Sequence, residues 1–224
     1  MAGSLIGGLL NAGFTASNIT VAEPDETRRQ VLHDQFNINT SADNNAALDT
    51  EIIVLAVKPQ LLKSVCQQLD NSKINNSLFI SIAAGVKSSD INRWLGGKKA
   101  IVRCMPNTPA LLQCGASGLF ANEFVSKEQK QQAEKIMQAV GIVLWVDSDE
   151  QLNAVTAVSG SGPAYFFLLM EAMVDAGVSL GLDAETASRL TLQTAYGAAL
   201  MARESSDSPG VLRQNVTSPG GTTA

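Results

Sequence analysis

The sequence predicts an α/β fold, in which a mostly parallel sheet covered by helices on both faces is followed by an all-α domain. Over the first 147 residues, short apolar runs alternate with polar, helix-like segments. Strands that are apolar throughout are buried on both faces, which is typical of parallel sheets between two helical layers. From residue 148 onwards the pattern is helical. We therefore predict a sheet domain at 1–147 and a helical domain at 148–224.

Runs of apolar residues, and the residues that end them, define the elements of the sheet domain. Strands are predicted at 19–22, 51–57, 78–83, 100–104, 116–121 and 142–146. Helices are predicted at 1–12, 25–34, 59–69, 88–95 and 126–140. Pro59 fits the first turn of its helix, where an N–H would have no partner. Gly3, Gly7 and Gly8 each weaken the first helix, so we expect that helix to pack closely against another backbone.

The helical domain is predicted to open with a linking helix at 148–158. The stretch 155–182 follows, in which Pro163 begins a long apolar helix and Ser161 can cap its free N–H groups. Such a helix start can hold an anion, and an ordinary capped core helix explains the pattern equally well. Further helices are predicted from Asp183 to Arg203 and at 209–216. Because Ala-rich and Gly-rich helices of this kind cannot bury both faces alone, we expect an oligomer.

Composition excludes several classes of function. The net charge is −5 and the pI is about 4.9, without a run of Lys or Arg, which argues against nucleic acid or an anionic membrane as the main partner. The three cysteines lack metal-ligand spacing, so we expect no metal site and reduced thiols in a cytoplasmic protein. The apolar run 164–174 is interrupted by Glu171 and falls short of the ~20 residues that a membrane span needs.

The beginning of the chain lacks a part that nucleotide-binding sheets normally have. Such a sheet opens with a strand and a glycine-rich turn leading into its first helix, whereas this sequence begins with the helix. Glu23 lies 21 residues after Ala2, which suits the acidic residue at the end of the second strand. We therefore predict a Rossmann-like sheet without its first strand and Gly-rich turn, with Met1 internal to a longer protein.

Five stretches together resemble the Δ1-pyrroline-5-carboxylate reductases, the last enzymes of proline synthesis. They occur in the family's order and spacing and extend over essentially the whole chain. Each alone is modest evidence, and together they are highly specific. The stretches are AVKP at 56–59, SIAAGV at 81–86, RCMPNTP at 103–109, VSGSGPAY at 158–165 and SPGGTT at 218–223.

The resemblance implies an NAD(P)H-dependent enzyme that transfers a hydride to the imine carbon of 1-pyrroline-5-carboxylate and forms L-proline. The family default cofactor is NADP, with NAD as the alternative. The C-terminal helices are expected to interlock with a second subunit, giving a homo-oligomer that is at least a dimer. The helices that follow the Gly-Gly-Thr-Thr loop in this family are absent, as is the first Gly-rich turn. We therefore expect weak cofactor binding and a loose substrate loop in the chain as written.

The resemblance also implies roles for individual residues. Thr223 would bond the ring nitrogen and is the predicted catalytic residue. Because the cyclic imine is basic enough to arrive protonated, a hydroxyl that orients it and proximity to the nicotinamide are sufficient, without a strong acid. The residues implied for the substrate carboxylate are Ser218, Gly220, Gly221, Thr222 and Thr223. Those implied for the cofactor are Glu23, Asn44, Ala56, Val57, Lys58, Pro59, Ala84, Asn107 and Asn215.

One departure bears on the choice of cofactor. Glu23 would repel a 2′-phosphate and could bond a free 2′-OH, which favours NAD, while Arg28 and Arg29 would offset that repulsion. Two other functions are compatible with the chain. A reductase of another imine or of a hydroxy acid is disfavoured because 159–165 offers no catalytic Lys, and a non-catalytic nucleotide-sensing dimer is disfavoured by the intact Thr223 loop.

Overall fold

The computed structural model of the protein describes residues 1–74, 76–217, 220 and 221. The chain forms two compact units, Met1–Pro163 and Ala164–Ala224. The sheet lies in the first unit, and the second unit is helical. The domain boundary at 147/148 stays a prediction.

The predicted mostly parallel sheet is present in the first unit as two hydrogen-bonded parts. The smaller part pairs β1 (Thr20–Ala22) with β2 (Asn39–Ser41) in parallel. The larger part has the order β3-β4-β5-β6-β7, with every neighbouring pair parallel except β5 and β6. Its strands are β3 (Ile52–Leu55), β4 (Leu78–Ser81), β5 (Ala100–Met105), β6 (Gly115–Ala121) and β7 (Gly141–Trp145).

Among the strands that the structure describes, β2 is the one that the sequence did not predict. Its residues, Asn39, Thr40 and Ser41, are all polar, so no apolar run marks it. Within the part of the chain that is described, β1 pairs only with β2 and β3 pairs only with β4. The two parts of the sheet are therefore not hydrogen-bonded to each other, and the missing first strand stays a prediction.

Helices cover both faces of the larger sheet, as the apolar strands predicted. These helices are α1 (Ala2–Asn11), α3 (Pro59–Gln68), α4 (Ser88–Trp94) and α5 (Lys127–Gln138). Helix α2 (Glu26–Phe36) packs instead against β2 and α1. Because side chains alternate along a strand, Leu78 and Ile80 join one buried cluster with residues of α1 and α5. Phe79, between them, joins a second cluster with residues of α3 and α4. The core thus has two layers.

One glycine of α1, Gly8, makes the predicted close contact with another backbone. A Cβ on Gly8 would lie 2.5 Å from the carbonyl oxygen of Ala139 and 2.8 Å from Val140 Cγ1. Only a residue without a side chain permits this approach to the end of α5. Packing of α1 onto the sheet therefore depends on Gly8.

The helix after the sheet differs from the prediction. In place of a linking helix at 148–158, α6 (Gln151–Val155) passes into a π-helical turn at Thr156–Gly160 and then into α7 (Gly162–Ser179). The N–H of Ser161 donates to the carbonyl of Thr156 at 2.8 Å. Because the residues before Ser161 are already helical, α7 has no free start there, and the predicted Ser161 cap is wrong.

The second unit carries two further helices, α8 (Ala184–Glu204) and α9 (Pro209–Asn215). Asp183 caps α8, as predicted, by accepting the N–H of Thr186 at 2.9 Å. Ser208 likewise caps α9. These caps satisfy helix-end donors that would otherwise lack partners.

Helix α7 exposes apolar side chains around its circumference. Those from Tyr165 to Leu169 are each between 57% and 65% exposed. Together α6, the π-helical turn and α7 form a 29-residue helix, Gln151–Ser179, which by length and composition alone is sufficient to cross a membrane. The apolar run 164–174, which by itself is too short for a span, is thus part of a longer helix than the sequence predicted. A helix covered by another subunit has the same composition.

Candidate functional site

The predicted cofactor loops come together at one edge of the larger sheet. Because β3, β4 and β5 are parallel neighbours, the segments that follow them emerge side by side. Ala56 and Lys58 after β3 are exposed, as is Ala84 after β4. Gly85 has a φ of +74°, and a Cβ there would meet nothing within 4 Å. The residues along this edge are thus exposed and mostly small, so a dinucleotide can come close to their backbone.

The nearly buried carboxylate of Asp149 holds the loop after β4 in place through hydrogen bonds. Asp149 accepts the N–H of Ser88 at 2.8 Å and its Oγ–H at 3.0 Å, which caps the start of α4. Its other oxygen pairs with Nη1 of Arg103 on β5, and the two side chains are only 12% and 7% exposed. Asp149 therefore ties the loop after β4 to β5. Sequence reasoning missed this contact because 46 residues separate the partners.

Glu23 and Asn44 lie at the corresponding edge of the smaller sheet. Glu23 directly follows β1, and half-buried Asn44 begins a 3₁₀ turn shortly after β2. The Glu23 carboxylate accepts the N–H of Asp25 at 3.0 Å. Arg29 donates to the backbone carbonyls of Glu23 at 2.8 Å and Pro24 at 3.3 Å. Arg29 is thus engaged with backbone, and exposed Arg28 is the better candidate for offsetting the charge of Glu23.

Asn107 lies at the end of β5, and both ends of its side-chain amide bond to protein. Its Nδ2 donates to the carbonyl of Ser159 at 3.2 Å, and its Oδ1 accepts the N–H of Ala116 at 2.9 Å. The side chain joins three segments: the loop after β5, the start of β6 and the π-helical turn. Its predicted contact with the cofactor stays a prediction.

The predicted substrate residues lie near the end of the chain, in the second unit. Ser218, Thr222 and Thr223 lie outside the described residues, so their roles stay predictions. Gly220 has a φ of +73°, a left-handed conformation that glycine adopts without strain. Gly220 and Gly221 are exposed, and so is Asn215 at the end of α9.

Burial makes two of the cysteines poor nucleophiles. It raises the pKa of the Cys66 thiol to about 11 and that of the Cys104 thiol to about 12. A hydrogen bond with Ser117 lowers the Cys104 pKa only in part. Both thiols are therefore protonated at neutral pH, and Cys114 is exposed.

Two family models match this chain and together cover most of it. Residues 149–224 match the pyrroline-5-carboxylate reductase dimerisation family. Residues 1–85 match the family described as NADP oxidoreductase, coenzyme F420-dependent. The first match falls on the helices that expose apolar side chains, and the second falls on the first part of the sheet domain.

Individual relatives agree with the family models. The chain is 54% identical to a pyrroline-5-carboxylate reductase of Pseudomonas aeruginosa over 100% of its own length and 82% of that protein. A solved pyrroline-5-carboxylate reductase from Coxiella burnetii has a TM-score of 0.93 at 46% identity and covers 99% of this chain and 83% of its own.

A third relative was solved with a cofactor. The pyrroline carboxylate reductase of Plasmodium falciparum, with NADP bound, has a TM-score of 0.87 at 31% identity, over 98% of this chain and 81% of that one. These similarities extend through both units of the chain. The chain belongs to the pyrroline-5-carboxylate reductase family.

Proposed function

We propose that this protein reduces 1-pyrroline-5-carboxylate to L-proline with NADPH or NADH as the hydride donor. The observation that carries the proposal is the 54% identity, over the full length of the chain, to a reductase of that name. The reductase motifs at the ends of β3, β4 and β5 occupy one edge of the sheet, which supports it further. A reductase of another substrate and a nucleotide-sensing dimer are not favoured.

The cofactor is assigned to the carboxyl edge of the sheet. Ala56, Val57, Lys58, Pro59, Ala84 and Asn107 would line it, and Asn215 is proposed for the nicotinamide side. Glu23 and Asn44 would lie at the adenosine ribose. When bound, the cofactor supplies the hydride that reduces the imine carbon. The small, exposed residues of these loops and the open surroundings of Gly85 support this placement.

The substrate is assigned to the loop at 218–223. Ser218 and the backbone N–H groups of Gly220 to Thr223 would hold its carboxylate, and the Thr223 hydroxyl would orient the ring nitrogen. The left-handed φ of Gly220 supports this assignment, because backbone N–H groups next to a residue in that conformation can bind an anion. Because the imine arrives protonated, the residues of this loop position the ring and need not supply a strong acid.

The protein is proposed to act as a homo-oligomer, at least a dimer, in the cytoplasm. Self-association is supported by the match of 149–224 to a dimerisation family and by the exposed apolar side chains of α7 and α8. The free thiols Cys66, Cys104 and Cys114 support a reducing compartment. Substrate and nicotinamide cofactor are its proposed small-molecule partners.

The first prediction tests the reaction and Thr223 together. Purified protein given pyrroline-5-carboxylate should oxidise NADPH or NADH, followed by the loss of nicotinamide absorbance. Thr223→Ala should lower kcat by roughly tenfold or more, since a hydrogen bond to a charged ring nitrogen is lost, whereas Thr223→Ser should keep most of it. No substrate-dependent oxidation with either cofactor would contradict the reaction, and unchanged kinetics in Thr223→Ala would remove Thr223 from it.

A further inference from the structure

The carbonyl of Ser159 lacks the donor that a regular helix would give it. In an α-helix this oxygen accepts the N–H of the residue four positions later. That residue is Pro163, which has no N–H. The local helix is also π-helical at Thr156–Gly160, so the α-helical pattern is interrupted there.

Asn107 supplies a donor to that same carbonyl. Its Nδ2 lies 3.2 Å from the Ser159 oxygen, although 52 residues separate the two in sequence. The other end of the amide is held as well, because Oδ1 accepts the N–H of Ala116 at 2.9 Å. Asn107 is thus fixed on β6 at one end and offers its N–H to the π-helical turn at the other. These two contacts use one N–H and one lone pair of the amide, so Asn107 bridges two segments of the backbone.

Packing around the turn leaves little room for another arrangement. A Cβ on Gly160 would lie 2.6 Å from Met105 Cε, so the turn lies directly against the end of β5. A Cβ on Gly118 would lie 2.7 Å from both methyl groups of Val155, so the preceding residues lie directly against β6. The hydrogen bond from Asn107 therefore joins surfaces that are already in close contact.

We propose that Asn107 is a positioning residue, which holds the turn at 159–163 against the carboxyl edge of the sheet through the Ser159 carbonyl. It acts on the reaction through that turn, whether or not it also contacts the cofactor. The inference rests on the proposed function, because the loop that ends in Asn107 is next to the proposed cofactor site. Two separate sequence motifs, MPN at 105–107 and SGSGP at 159–163, are thereby one structural unit.

Asn107→Asp is the decisive variant, and the chain offers a matched control. Aspartate keeps an oxygen for the Ala116 N–H but loses the donor to Ser159. Asn122 makes the same kind of bridge at the other end of β5, accepting the N–H of Ile101 at 3.0 Å and donating to the carbonyl of Lys99 at 3.0 Å. Asn122→Asp loses the equivalent donor far from the proposed site. Asn39→Asp, which loses an exposed bond to Ser17, is a second control if Asn122→Asp folds poorly.

The readouts are hydrogen exchange of the backbone amides at 156–162, the thermal midpoint, and the kcat and KM of the reduction. Asn107→Asp should speed exchange in that segment and lower kcat/KM by roughly tenfold, the size expected when a buried carbonyl loses its partner. Asn122→Asp should lower the thermal midpoint by a comparable amount and the exposed Asn39→Asp by less, with exchange at 156–162 and kcat/KM unchanged in both. Equal kinetic losses in Asn107→Asp and a control, or unchanged exchange at 156–162, would overturn the proposal.

Pro163→Ala provides a double-mutant cycle. It restores an N–H at residue 163, so Asn107→Asp should cost less in this background than in the wild type. Additive effects of the two changes on exchange at 156–162 would contradict action through Ser159. Inactive wild-type protein would refute the proposed function alone, because the exchange measurements still decide whether Asn107 holds the turn.

Discussion

At the scale of single residues, Arg103 and Asp149 form an ion pair with little access to water. Both side chains are nearly buried, and Nε of Arg103 has no hydrogen-bond partner among the described residues. A buried charge is tolerable only when it is paired, so the guanidinium depends on this one carboxylate. Because Asp149 also caps α4 through Ser88, a single carboxylate joins the loop after β4 to the neighbouring strand.

Asp149→Asn should therefore be strongly destabilising. Asparagine can still accept from Ser88, but Arg103 is left buried without a counter-charge, which typically costs about 3 kcal/mol of unfolding free energy or more. Urea denaturation of both proteins measures the difference. The neighbouring pair Lys87–Glu150 is exposed at 61% and 66%, so Glu150→Gln is a control expected to change nothing measurable. A small effect of Asp149→Asn would show that Arg103 reaches another partner.

The cysteines give a pH-dependent prediction. Burial raises the pKa of Cys66 to about 11 and of Cys104 to about 12, above the ordinary value of 9.0. Their contribution to stability is therefore complete below pH 9 and is lost as the pH rises toward their folded values. At pH 8 we expect an alkylating reagent to modify Cys114 rapidly in the native protein and the other two only after unfolding, as measured by intact mass. Cys114→Ser should abolish the fast reaction, and rapid labelling of Cys104 would contradict its burial.

At the scale of elements, α1 shows how one glycine sets the distance between a helix and its neighbour. Gly3, Gly7 and Gly8 all lower helix propensity, yet they differ in their surroundings. Gly7 is next to the Phe36 ring, with its nearest atom 3.4 Å from a hypothetical Cβ. Gly8 is against the backbone of Ala139, which has no freedom to withdraw. Only Gly8 is required by the packing.

Gly8→Ala and Gly7→Ala make a matched pair in the same helix. Gly8→Ala should lower the free energy of unfolding by about 2 kcal/mol, because the new methyl overlaps the end of α5. Gly7→Ala should leave it unchanged or raise it by up to about 1 kcal/mol through better helix propensity. Chemical denaturation measures both. Similar values for the two variants would show that α1 can move away from α5 without cost.

At the scale of the whole molecule, the second unit exposes apolar side chains, whose contact with water is unfavourable. Tyr165, Phe166 and Phe167 on α7 are each more than half exposed, as are Leu190 and Tyr196 on α8. Exposed apolar surface of this extent marks an interaction site. Since the same residues match a dimerisation family, a second copy of the chain is the partner that fits.

Light scattering coupled to size exclusion should therefore give a mass at least twice that of one 23.6 kDa chain. Phe167→Asp should shift the protein toward the monomer or make it aggregate, because a charge cannot be buried unpaired between apolar helices. Val31→Asp is the control, since Val31 is 56% exposed on the polar helix α2. A monomeric wild-type protein would contradict the proposed assembly.

Much of the architecture could be predicted from local pattern. Apolar strands such as 78–81 predict a sheet buried on both faces. In the structure, Leu78 and Phe79 belong to the core clusters on opposite faces of the sheet. Asp183 directly precedes a helical segment, which predicts that its side chain caps the start of that helix. Strand β2 could not be predicted, because Asn39–Ser41 is polar and becomes a strand only by pairing with β1. The π-helical turn was also missed, because the Pro163 signal reads locally as a helix start.

The sequence by itself determined the fold class, the family and which loops belong at the carboxyl edge of the sheet. These follow from periodicity, from turn residues and from motifs that are contiguous in the chain. Only the tertiary structure decided what Asp149 and Asn107 do, since each acts on groups 46 to 61 residues away. Hydrogen bonds of that range depend on how strands and helices are placed in space, and no local pattern encodes them. The same physical reason explains why the hydrogen bond from Asn107, a predicted cofactor residue, to the carbonyl of Ser159 could not be predicted.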